Sequence, residues 1–290
     1  LLSALSYLAI WPALYAAAAV VCLGSVAGLA VDSFRESIGI AMVVCTALAT
    51  YLLDRVKLKD SWLDPADAAA HPRRYFFLAA RTRVIRALIG CALCAAMVCA
   101  ALLARWTMAL PVLSCAGVLV YAAKPRRARP RPKDLLLLKN ASVASGIVAF
   151  SLLTLLAIHE PGPLGTINFA ALVTPSLLFS SAHLFLRIFA DAALCDLDDE
   201  DSDRRHGTTT LPTHFGRLPA WNLAMMLRLG LALALAVVPI GPLRPRLAWA
   251  AVTVVSTLSL RLSSPAHIRD AVDLRFAIEA VVVSLVLAWG

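Results

Sequence analysis

Apolar runs long enough to cross a bilayer constrain this chain more than any other feature. A helical span needs about 20 largely apolar residues, and several runs here reach that length. Sixty per cent of the 290 residues are hydrophobic, and mean hydropathy is +0.79. A soluble core of this size does not need so much apolar sequence. The pattern predicts nine helices, at about 5–30, 38–53, 85–104, 107–123, 137–158, 167–192, 220–240, 246–262 and 274–290. The expected fold is therefore an all-α integral membrane bundle, one polytopic domain over 1–290. The first segment has no basic flank before it and is too long for a signal-peptide core, so it is read as a true span.

The net charge of +9 falls unevenly. Basic residues crowd the connections after helices two (Arg55 to Arg86), four (Lys124 to Lys139), six (Arg204, Arg205, Arg217) and eight (Arg261, Arg269, Arg275). The opposite connections hold only Arg35, Arg105, Arg244 and Arg246. The positive-inside rule then places the N-terminus and every loop after an even helix in the cytoplasm. This topology accounts for the basic excess without a nucleic-acid partner. The expected location is a membrane, with the plasma (inner) membrane as the default. Seven cysteines form no disulfide framework, and Cys91-x-x-Cys94, inside a helix of Ala and Leu, reads as small packing residues.

Residues 196–203 put six carboxylates into eight positions: Asp196, Asp198, Asp199, Glu200, Asp201 and Asp203. Carboxylates this close repel unless a cation lies among them. Hard oxygen ligands suit Mg²⁺ or Ca²⁺, and Mg²⁺ commonly arrives with a phosphate-bearing substrate. If the sixth helix continues through them, Asp196, Asp199 and Asp203 share one face, because their spacings are three and four. Asp54 and Asp60, after helix two, form a second acidic pair and are further candidate metal ligands. Lys124 and Lys139 bound a Pro/Arg-rich loop whose ends could reach a diphosphate; the loop equally suits an anionic lipid surface. His183, Arg187 and Asp191 recur at every fourth residue within a span. Two readings stand for Arg187: an internal pair with Asp191, or a fork onto phosphate oxygens.

These residues resemble the UbiA superfamily of intramembrane prenyltransferases. The sharpest match is D-x-x-D-x-x-x-D-x-x-x-G-x-x-T-L-P followed by Gly, met by Asp196, Asp199, Asp203, Gly207, Thr210, Leu211, Pro212 and Gly216. Tyr121 before a basic loop, and Lys139-Asn140 opening helix five, also resemble the family. The first family motif, N-D-x-x-D-x-x-x-D, is damaged: Thr50 and Tyr51 stand in place of Asn-Asp, Leu58 in place of the last Asp, and Asp60 comes two residues late.

The resemblance implies nine spans around a central cavity open to the cytoplasmic side. It implies Mg²⁺ on the two acidic motifs and an isoprenoid diphosphate bound through it, with Arg187, Lys124, Lys139 and Asn140 on the phosphates. The implied reaction is transfer of a prenyl group from a polyprenyl diphosphate to an aromatic or other lipophilic acceptor. The alternatives are a cyclase or lyase of the same fold, and a non-catalytic protein that binds lipid or a partner.

Overall fold

A computed structural model describes residues 2–29, 33–56, 71–121, 135–160, 162, 173–263 and 268–289. Within these residues the chain is helical, with no strand. Its helices in order are α1 (Leu2–Tyr7), α2 (Ile10–Ala27), α3 (Ser33–Val56), α4 (Pro72–Ala79), α5 (Thr82–Leu103), α6 (Ala109–Tyr121), α7 (Leu138–His159), α8 (Pro175–His206), α9 (Leu211–Phe215), α10 (Arg217–Val237), α11 (Leu243–Ser259) and α12 (Ile268–Ala288).

Six of them, α2, α3, α5, α7, α8 and α10, are long and apolar enough to cross a membrane. The other three expected spans fall on helices too, each with a shortfall. Helix α6 has 13 residues and α11 has 17. Helix α12 has 21 residues but carries Arg269, Asp270, Asp273, Arg275 and Glu279. The outer faces are apolar where a soluble protein would be polar: Val84, Val98, Met226, Leu233 and Val255 are all exposed. Surface of that kind belongs against lipid.

Helix α2 lies at the centre, packed against α3, α7, α8 and α12. Its run Ala16–Ala19 is buried, as are Val20, Leu23 and Val26. A helix apolar on all sides belongs inside a bundle, and small side chains let neighbouring backbones approach. Around it, α3 packs on α5 and α6, α8 on α7 and α10, and α11 on α10 and α12. Close approach is enforced at Gly39, where a Cβ would lie 2.7 Å from Ile158 Cδ1.

Helix ends define two faces. At one, Arg35 at the start of α3 donates to the carbonyls of Ala157 and Ile158, near the end of α7, and of Leu103, the last residue of α5. These are terminal carbonyls that a helix cannot satisfy itself. At the other face, Arg55 near the end of α3 donates to the carbonyls of Ser6 and Tyr7, closing α1. The expected first span at 5–30 is therefore interrupted: Ala9 adopts a left-handed conformation (φ 59°), and α2 begins after it. Pro12, in the first turn of α2, lacks the N–H that would have carried a continuous helix through this point.

Candidate functional site

Helix α8 is where the chemistry gathers. Thr174 caps its start by accepting from the Leu177 N–H at 3.1 Å, with Pro175 in the first turn. It then runs 32 residues to a left-handed Gly207. At 1.5 Å per residue that is about 48 Å, longer than the roughly 30 Å hydrocarbon core. The last turns, with the carboxylates, therefore extend towards the membrane edge. The expected boundary at 192 is corrected: the helix continues through the whole acidic run. Beyond Gly207, Thr210 and Thr213 form a reciprocal cap for the short α9, with Leu211-Pro212 in its first turn.

Helical spacing puts Asp196, Asp199 and Asp203 on one side, and other elements bring cations to them. Lys139, in the first turn of α7, places Nζ 2.8 Å from Asp196 Oδ1 and 3.2 Å from Asp203 Oδ2. Arg269, in the first turn of α12, pairs with Asp199. Its own N–H donates to Asp198 Oδ2 at 3.0 Å. His71, just before α4, lies 3.2 Å from Asp199 Oδ1. Glu200 and Arg204, one turn apart, pair at 2.9 Å on the outer side. These partners cover five of the six carboxylates, and the sixth, Asp201, is exposed. Asp196 and Asn140 are buried, and the Asn140 amide adjoins Asp196.

Other residues close in on the same place. Tyr121, at the end of α6, has Lys139, Asp196, Asp54 and Asp203 around it. Asp54, in the last turn of α3, is near enough to Tyr121 for its charge to act on the phenol. Tyr51, one turn earlier on α3, sits among Asp273, Cys195, Arg269 and Arg55. Asp60 and Lys124 lie outside the described residues.

Arg187 goes elsewhere. It is fully buried, more than two turns before Asp196. Its Nε donates to Asp191 Oδ2 at 3.0 Å, one terminal nitrogen to Thr253 at 3.1 Å, and the other to Glu279 Oε1 at 2.7 Å. Arg228 of α10 joins the same network through Asp191 and Ser256, and its Nε donates to Thr257 at 3.0 Å. Tyr15 donates to Asp191 at 2.8 Å and Trp249 to Glu279 at 3.1 Å. Of the two readings for Arg187, the structure shows the internal pair, enlarged to four charges. It does not bring Arg187 to the carboxylates at the end of α8, because each guanidinium nitrogen already has a partner inside the bundle. His183, one turn earlier, packs its ring on Trp249 at 4.7 Å.

Sequence reasoning missed Arg269 and His71 as parts of this cluster. Both sit in polar connections beside a helix start, and nothing in their local sequence points to Asp199.

Mg²⁺ is the ion that the motif implies, and the oxygen donors fit it. The three carboxylates share a face, and Asp196 Oδ2 is buried with no partner within bonding distance. Even so, no three His, Cys, Asp or Glu side chains among the described residues converge closely enough to hold an ion. Lys139 and Arg269 stand on the oxygens instead.

Three solved structures are similar to this chain over nearly its whole length. A UbiA homolog from Aeropyrum pernix K1, in its apo form, is 17% identical with a TM-score of 0.66, covering 97% of this chain and 98% of that one. A UbiA homolog from Archaeoglobus fulgidus, bound to DMAPP and Mg²⁺, is 13% identical with a TM-score of 0.62, covering 99% and 98%. A digeranylgeranylglyceryl phosphate synthase is 12% identical with a TM-score of 0.53, covering 99% and 96%. No family model and no curated protein matches the chain. At these identities the likeness is one of fold: the chain shares the fold of these solved structures.

Proposed function

We propose that this protein is an intramembrane prenyltransferase of the UbiA type, moving a prenyl group from a polyprenyl diphosphate to an aromatic or other lipophilic acceptor. One observation carries the reading: Lys139, Arg269, Asp196, Asp199 and Asp203, drawn from three helices, meet at one end of a bundle whose outer faces are apolar. A diphosphate needs such mixed charge, and its prenyl tail needs apolar helices beside it. A structure of the same fold is bound to DMAPP and Mg²⁺, which supports both the donor class and the ion.

In this reading nine helices span the membrane around a cavity open to the cytoplasm. Asp196, Asp199 and Asp203 would hold Mg²⁺, with Asp54 and Asp60 opposite. When bound, the ion supplies positive charge against the diphosphate as it leaves. Lys139, Lys124 and Asn140 donate to phosphate oxygens and orient the donor. The C–O bond to the diphosphate breaks, the acceptor's nucleophile bonds to the allylic carbon, and the acceptor's proton passes to solvent. The apolar helix walls keep water from that carbon. No enzyme nucleophile takes part.

The test is diphosphate release by the purified protein in nanodiscs from labelled geranyl, farnesyl and geranylgeranyl diphosphates, with a mixed pool of aromatic acceptors. Release is expected with Mg²⁺, none with EDTA, and a loss of about 10²-fold or more in Asp199→Ala, the scale for removing one charge-stabilising group. Product masses separate transfer from cyclisation or elimination. A folded protein that releases diphosphate from none of the donors overturns the enzyme reading in favour of a lipid- or partner-binding protein.

A further inference from the structure

Lys139 stands on two of the carboxylates that would hold a metal ion. Its Nζ bridges Asp196 Oδ1 at 2.8 Å and Asp203 Oδ2 at 3.2 Å, seven residues apart on one face of α8. Those carboxylates are 3% and 13% exposed, so water screens the contact little. Asp199 between them is paired with Arg269 and His71. The three acidic charges of the motif thus already face two permanent cations and a histidine. A divalent ion would need the same carboxylates unprotonated, and Lys139 already stands on Asp196 Oδ1 and Asp203 Oδ2, leaving Asp196 Oδ2 without a partner. An ammonium and Mg²⁺ cannot both sit within bonding distance of Asp196 and Asp203 without strong repulsion.

We infer that Lys139 is a built-in counter-cation that competes with Mg²⁺ for Asp196 and Asp203, so that metal enters only when Lys139 lets go. This rests on the Mg²⁺ assignment of the proposed function. The competition has a direct use. A diphosphate entering beside α7 offers Nζ new oxygens, and the carboxylates it leaves then become available to the metal. Metal and diphosphate therefore bind each other's partners into place, and the acidic face stays neutralised between turnovers. Arg269 does the same for Asp199 from the other side, held in register by its backbone bond to Asp198.

The experiment is a Mn²⁺ binding isotherm by electron paramagnetic resonance on detergent-solubilised protein, without substrate. Wild type is expected to bind weakly. Lys139→Gln is expected to bind about tenfold tighter or more, the size of effect that a neighbouring charge has on a carboxylate. Lys139→Arg, which keeps the charge, should remain near wild type. A second arm uses wild type alone. The Lys139 side chain is 20% exposed, which leaves part of it open to a water-soluble acetylating reagent. Saturating Mg²⁺ should raise its acetylation rate, read by peptide mass spectrometry, several-fold.

Unchanged or weaker Mn²⁺ binding in a folded Lys139→Gln overturns the inference. So does a Lys139 acetylation rate that Mg²⁺ leaves unchanged, and that arm holds even if the variant does not fold. Neither arm reads turnover. Tighter Mn²⁺ binding in a protein that releases no diphosphate would defeat the proposed function alone, and turnover without competition would defeat only this inference.

Discussion

Arg228 sets the limit of what one residue can tell about its own surroundings. From sequence it is a charge in the middle of an apolar helix. In the structure it is fully buried and shares Asp191 with Arg187 and Tyr15. The pair Arg187–Asp191 was legible because helical neighbours four apart must meet. The partners Arg228 and Glu279 were not, since they lie 37 residues from Asp191 and 92 residues from Arg187. The same distance problem hid Arg269 from Asp199, 70 residues away. A motif states its ligands but not the cations that tertiary packing sets on them. Replacing Arg228 by Met should cost about 3–5 kcal/mol, because it leaves the buried acids short of one positive charge. Thermal unfolding in detergent should show a much lower Tm. Arg204→Ala, which removes a surface partner of Glu200, should cost less than about 1 kcal/mol.

Helix α8 was readable in most of its parts. Its apolar stretch and its motif spacing followed from periodicity, and Gly207 supplies the left-handed C-cap at its end. Its true end did not, because crowded acids argue against a helix until their partners are known. The turn between α10 and α11 holds Gly241 and Pro242. The structure adds the reason for glycine: φ is +82°, and a Cβ would fall 2.3 Å from the Val26 carbonyl oxygen at the end of α2. Gly241→Ala should therefore destabilise by at least the 1–3 kcal/mol of a strained backbone and lower Tm. Gly230→Ala, in α10 with nothing within 4 Å, should be neutral or gain up to about 1 kcal/mol of helix propensity. Comparing the two variants in one melting experiment checks both.

At the scale of the whole molecule, charge and geometry can be set side by side. The basic loops predict which face is cytoplasmic, and the structure gathers Lys139, Arg269, Arg55 and the acidic motif at one set of helix ends, with Arg35 at the other. Periodicity could foresee the helices, but it could not foresee that α2 would be the hub, because every span is apolar. The orientation is open to test by impermeant-maleimide labelling of sealed vesicles. Arg205→Cys should react only from the cytoplasmic side and Arg244→Cys only from the opposite side, each scored above the parent protein's seven cysteines; the reverse pattern would invert the topology. One more consequence follows from the buried quartet of charges. Its second carboxylate, Glu279, sits on α12, which the ribosome makes after both arginines have emerged. Until that helix arrives, the half-built bundle holds two guanidiniums against one carboxylate in an oily interior. The chain cannot settle in the membrane piece by piece, and α12 acts as a latch for the helices made before it.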